Sequence, residues 1–193
     1  MRILPHHKLI ASYEANVFGI ARPPISVFRD ELGASAVCIV EARDRPIPRC
    51  TSYATVGLSD CEIRVGGKVL DYGVELVGAF DSDYQKFGNL MATAAFMIIN
   101  SGWSCAPGMI FPDVATLHDE NFVLCDLYFT HPFTWPERMD KLNIGSRHIA
   151  FLQVLPIAKS ETELARRLGP RELESRLERS GLNVFDLKRP HVS

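Results

Sequence analysis

The chain has 193 residues, of which 47% are hydrophobic and 23% charged, and its net charge is −2 at neutral pH. That length suits one domain spanning 1–193, and the composition is that of an ordinary folded protein. The near-neutral charge provides no basic footprint for nucleic acid and no polybasic patch for a membrane surface, and no apolar run approaches the roughly 18 residues of a membrane span.

In chain order, Pro5 suits the first turn of a helix over 6–18, with Leu9, Ile10, Tyr13, Val17 and Phe18 on one apolar face. Arg22-Pro23-Pro24 stops it. Strands are expected at 25–29 and 36–41, joined through Leu32-Gly33-Ala34. A Pro-rich loop at 44–48 leads to a third strand at 51–56, where Thr51, Tyr53 and Thr55 alternate with smaller residues. Gly57 and the Ser59-Asp60 pair mark a tight turn. Residues 61–65 and 68–72 flank Gly66-Gly67 as a hairpin, and another strand follows at 74–80. Asp81-Ser82-Asp83 offers the N-cap of a long helix over 84–100. Phe87, Leu90, Met91, Ala94, Met97 and Ile98 form its apolar face, widened by Phe96 and Ile99, and Gly102 closes it.

Residues 103–117 lack periodicity and read as an irregular excursion with one short strand. Residues 123–130 alternate as a half-buried strand. The almost continuous apolar run at 148–157 suits a central strand covered on both faces. Ser160-Glu161-Thr162-Glu163 reads as a capping box ahead of a short helix, Gly169-Pro170 starts a second, and Gly181 ends it. Two runs of strands around one long helix predict an α+β fold. Its parts are a mostly antiparallel twisted sheet, the long helix packed on it and short C-terminal helices.

The residue types that could carry chemistry form no catalytic spacing. The five cysteines are odd in number and include no C-x-x-C pair, so they suit neither a zinc site nor a disulfide framework. Free thiols and a short polar N-terminus without the pattern of a signal peptide make the cytoplasm the natural compartment. Cys105 with His131 or His148 is the tempting nucleophile and base, but a buried thiol and two ordinary histidines fit better. His6-His7 are neighbours on a helix and do not share a face, which favours a solvated helix start over a metal site. Gly66-Gly67-Lys68 lacks the rest of a phosphate-binding loop. Glu75 and Asp126, each in an apolar strand, are expected to face an open side of the sheet or to satisfy a backbone or Arg partner. The aromatics Trp103, Phe111, Phe133 and Trp135 lie in expected loops, where capping the core outweighs anchoring a partner. No cofactor and no metal are called for.

Four stretches in fixed order carry more information. They are Thr51-Ser52-Tyr53-Ala54-Thr55-Val56-Gly57-Leu58-Ser59-Asp60, Tyr72-Gly73-Val74-Glu75-Leu76-Val77, Cys105-Ala106-Pro107-Gly108, and Ala150-Phe151-Leu152-Gln153-Val154-Leu155-Pro156-Ile157. Through them the chain, over about 23–181, resembles the suppressor of fused family. The exit Leu155-Pro156-Ile157-Ala158-Lys159-Ser160-Glu161 is similar to the family's bacterial branch, and nothing corresponds to the second domain of the animal protein. The resemblance implies a binding protein and not an enzyme. In the bacterial branch it implies an immunity protein that neutralises a cognate toxin of a polymorphic toxin system. The alternative is a peptide-binding adaptor that sequesters a cellular protein by strand addition. It also implies a partner surface at Tyr53, Leu58 and Asp60, where the animal relative receives an added strand. Asp60 can there meet a positive group on the partner, or bond nearby backbone within its own turn. Trp135 and the Phe111 loop are the next candidates for partner contact.

Overall fold

Pro5 occupies the first turn of helix α1 (Pro5–Phe18), as its missing N–H allows, and Gly19 ends the helix in the left-handed region with φ 70°. The computed structural model describes residues 3–84, 86–135, 139 and 141–192. After α1 come strands β1 (Ile25–Arg29), β2 (Ala36–Arg43) and β3 (Cys50–Val56), then the short pair β4 (Arg64–Val65) and β5 (Lys68–Val69). Strand β6 (Gly73–Asp81), helix α2 (Phe87–Ser101), and strands β7 (Ile110–Phe111), β8 (Asp126–Thr130), β9 (Lys141–Ile144) and β10 (Arg147–Ile157) follow. Helices α3 (Lys159–Leu168) and α4 (Pro170–Ser180) complete the order.

The main sheet runs β1-β2-β3-β6-β10-β8-β7, with β9 also on β10. Every pairing in it is antiparallel except that of β10 with β6. Side-chain parity then divides the core. Val37, Ile39, Tyr53, Leu76, Phe80, Leu127, Phe129, Leu152 and Val154 lie on the face that carries α2. Cys38, Val40, Ala54, Val56, Val77, Ile149 and Phe151 lie on the opposite face, under α1. On that same face the far ends of β8 and β10 present Tyr128, Leu155 and Ile157 to α3 and α4. The predicted α+β arrangement of a mostly antiparallel sheet with α2 on it is observed, and β10 is the interior strand that the apolar run at 148–157 demands.

Several expectations are corrected. Residues 123–125 do not join β8, and β8 is buried on both faces instead of half-buried, because α3 and α4 cover the second face. Helix α2 begins at Phe87, because Asp81 closes a turn onto the Asp83 backbone N–H and does not cap the helix. The capping carboxylate of α3 is Glu161, which accepts the Ala158 N–H, so the helix starts one residue before Ser160. Strand β9, four residues of mixed polarity, carries too little periodicity to be read from sequence.

Candidate functional site

The motifs at 57–60 and 73–76 fold into one device. Gly57, with φ 103°, turns the chain out of β3, and its N–H reaches Glu75 Oε1 at 2.9 Å. Ser59 adds its N–H at 3.1 Å and its hydroxyl at 2.7 Å to the same oxygen. Thr55 donates its hydroxyl to Glu75 Oε2 at 2.6 Å and accepts the Leu76 N–H at 2.8 Å. Gly73 lets the two segments close, since a Cβ there would lie 2.7 Å from Ser59 Cβ. Glu75 therefore faces no open side: it is fully buried and clamps the turn. Burial pushes its carboxyl up to about 7, and the hydrogen bonds from Thr55, Ser59 and Gly57 work against that rise. A second buried carboxyl, Glu14 of α1, has no hydrogen-bond partner on either oxygen among the described residues. Its pKa stands well above the ordinary value, through burial first and then the charge of Glu75 and of Cys38.

The clamped turn seats Leu58 in the core and points Asp60 outward. Asp60 bonds no backbone of its own turn. Its Oδ2 accepts from His7 Nε2 at 2.7 Å, and its Oδ1 from His6 Nε2 at 2.8 Å and Arg147 Nη1 at 2.9 Å. Burial acts to raise the Asp60 carboxyl, but the bonds from His7 and His6 outweigh it and hold the group below the usual carboxylate range. His6-His7 is thus not a solvated helix start: the first turn of α1 is pinned to Asp60, and His7 is buried. The three donor atoms of His6, His7 and Asp60 lie within 4.8 Å of one another, the spacing of a metal site. The hydrogen bonding opposes that use. The Leu4 N–H donates to His7 Nδ1, so the ring proton sits on Nε2, the nitrogen a metal would need. In the second such group, of Asp113, Cys125 and Asp126, the Lys159 ammonium already bridges Asp113 and Asp126 at 2.7 Å each.

At His148, the chain neighbour of Arg147, opens a cleft of about 870 Å³. Strand β10 passes along it. β9 pairs with β10 as far as Ala150 and β8 takes over at Gln153, so on this side no strand among the described residues pairs with Phe151 or Leu152. Cys105, Pro107 and Phe151 contribute to the lining, and Tyr72, Lys141 and His148 stand exposed at the rim. Gln153 accepts the Phe133 and Thr134 N–H groups at 3.1 Å each, which holds the chain open beyond β8.

The model of the suppressor of fused protein family matches residues 33–190. The chain belongs to the suppressor of fused family. The immunity protein YqcF of Bacillus subtilis (strain 168) is 32% identical over 192 residues, covering 100% of both chains. The crystal structure of the Sufu–Fu complex superposes with a TM-score of 0.71 at 14% identity, covering 96% of this chain and 91% of that one. A suppressor of fused homologue from Neisseria gonorrhoeae FA 1090 gives 0.70 at 13% identity, covering 96% and 95%. The family match begins after α1 and β1, so His6 and His7 lie outside it.

Within this suppressor of fused domain the candidate contacts separate sharply. Tyr53, Leu58, Phe111 and Trp135 are buried side chains of the core, and Asp60 alone of the five reaches the surface. Tyr53 packs on Phe87 of α2, Phe111 on Phe129, and Trp135 on Phe18 of α1. Of the four loop aromatics, Trp103 and Phe133 are the two left partly in solvent. Cys105, His131 and His148 all line the cleft, yet no hydrogen bond joins the thiol to either imidazole, and His148 Nδ1 pairs with Asn143 at 2.7 Å. Burial pushes the Cys105 thiol up to about 12, which leaves it protonated and a poor nucleophile. Asp126, expected at an open face or satisfied by a backbone or Arg partner, is buried, and a backbone N–H is among its partners. It is satisfied by Lys159, Thr162 and the Asp113 N–H. No signal in the sequence couples His6, His7 and Arg147 to Asp60, because the three come from opposite ends of the chain.

Proposed function

We propose that this suppressor of fused domain is an immunity protein that neutralises a cognate toxin by stoichiometric, non-catalytic binding. The toxin docks in the cleft along β10. The name of the Bacillus subtilis relative, matched along its full length, supports the role. The observation that carries the placement is the two-residue break in pairing along β10, at the floor of an open cleft with an aromatic rim. Unpaired strand backbone accepts an extended segment through main-chain hydrogen bonds, and rim side chains then select it. Tyr72, half exposed at the mouth, is the anchor, and Lys141 favours an acidic residue in the incoming segment. Asp60 acts here by fixing the edge of the cleft through Arg147, which adjoins His148. Tyr72→Ala and Lys141→Glu test the reading against purified toxin domain. Each should weaken binding by about tenfold or more with an unchanged melt. Wild-type affinity in both would place the interface elsewhere.

A further inference from the structure

Strand β1 ends the sheet on the side opposite β7, and it differs from that other edge. β7 is two residues long, with Phe111 buried, and offers little to a neighbour. β1 is five residues long, hydrogen-bonded to β2 on one side and to no strand among the described residues on the other. The Asp30 N–H bonds Ser35 O at 3.1 Å and the Glu41 N–H bonds Pro24 O at 3.0 Å. Even-numbered residues therefore point their peptide groups at β2, while Ile25, Val27 and Arg29 point theirs outward. Ile25 and Val27 are 48% and 52% exposed, and Leu32 in the following turn is 91% exposed. The edge is also rigid: Asn100 at the end of α2 donates to Asp30 Oδ2 at 3.1 Å, and Ser35 bonds Asn100 at 2.6 Å.

We infer that this edge joins a second copy of the chain, β1 against β1 in antiparallel fashion, with the two-fold axis at Val27. The pattern is self-complementary about that residue. Val27 faces its own equivalent and Ile25 faces Arg29 of the other copy, so the three outward residues of each strand exchange all their free N–H and C=O groups. On the other side of the ladder the small Ser26 meets the large Phe28. The ends match in charge. The Arg22 end of one strand reaches the Asp30–Glu31 end of the other, and among the described residues neither Arg22 nor Glu31 has a side-chain partner. Asp30 is held by its own turn, so Glu31 is the available carboxylate. The same approach brings Leu32 over the Pro23 side of the neighbour. Pro23, with no N–H to offer, ends the ladder at one limit. A two-fold pairing uses both free edges and closes the assembly as a dimer.

Sedimentation velocity over a concentration series tests this, with hydrogen exchange at the Val27 amide as a second readout. The expected result is a concentration-dependent dimer in which Val27 gains protection as protein concentration rises. Arg22→Glu sets a carboxylate beside Glu31 twice per dimer and should raise the dissociation constant about tenfold. Adding Glu31→Arg should restore it. Val27→Pro removes the axial N–H and should leave a monomer with a native melt. Three results would each overturn the inference. They are a monomer up to millimolar protein, a dimer indifferent to Arg22→Glu and Val27→Pro, or a monomer whose Val27→Pro variant loses toxin binding. The last would assign the edge to the toxin and leave the cleft variants to judge the proposed function separately.

Discussion

Replacing Glu75 by Gln should invert its effect on stability between weakly acidic and alkaline pH. The carboxyl sits at about 7 in the folded chain against an ordinary value of 4.5, so the folded state keeps a proton that the unfolded state has lost. Stability from this group is complete below the unfolded value and falls as pH rises through the folded one, by about 3 kcal/mol in all. Gln keeps the shape and an oxygen for Gly57 and Ser59. It sets an amide against the Thr55 hydroxyl, which already accepts the Leu76 N–H, at a cost of about 1 kcal/mol. The variant should then match wild type, or fall about 1 kcal/mol below it, near about pH 5, and exceed it by about 2 kcal/mol near about pH 8.5. Urea unfolding of both proteins across that range reads the difference directly. Using the difference is necessary because His118, whose pKa is lowered by burial and by Lys86, gains stability over part of the same window. A constant offset between the two proteins at every pH would refute the reasoning.

Other substitutions address separate parts of the fold. Arg189 makes a two-pronged buried ion pair with Glu161 at 2.7 and 3.0 Å, so Arg189→Ala strands the carboxylate and should lower urea stability by about 3–5 kcal/mol. Leu152→Asp puts an unpaired charge between β10 and α2 and should abolish the cooperative thermal melt, which a wild-type transition would contradict. Any hydrolytic or transferase activity of purified protein should survive Cys105→Ala; its loss in a folded variant would revive an enzymatic role for the cleft.

The four helices are legible from their apolar faces, β2, β3, β6 and β10 from runs of strand-forming residues that the sheet buries, and β1 from Ile25, Val27 and Phe28 after Pro24 although most of it is exposed. Strand β9 and the late start of α2 were not, since four residues of mixed polarity carry no period and an Asx turn imitates a helix cap. Glu75 shows the limit more sharply. The sequence pattern puts it in an apolar strand, but its four donors come from the end of β3 and the turn after it, 16 to 20 residues upstream, and only packing brings them together. Among the loop aromatics the core-capping reading holds for two. Phe111 and Trp135 cap the core, whereas Tyr72, read as the end of a hairpin, became exposed at the cleft. The motif singles out Asp60 but not what holds it, because His6 and Arg147 are separated from it by 54 and 87 residues.

Stoichiometry distinguishes neutralisation by binding from every catalytic alternative. Calorimetric titration of the cognate toxin domain, with toxin activity assayed on the same samples, measures it. The account predicts saturable binding at equimolar ratio, with activity falling in step with occupancy and recovering when the complex is separated. Complete inactivation by substoichiometric protein, or no binding at concentrations where the toxin is active, would contradict it.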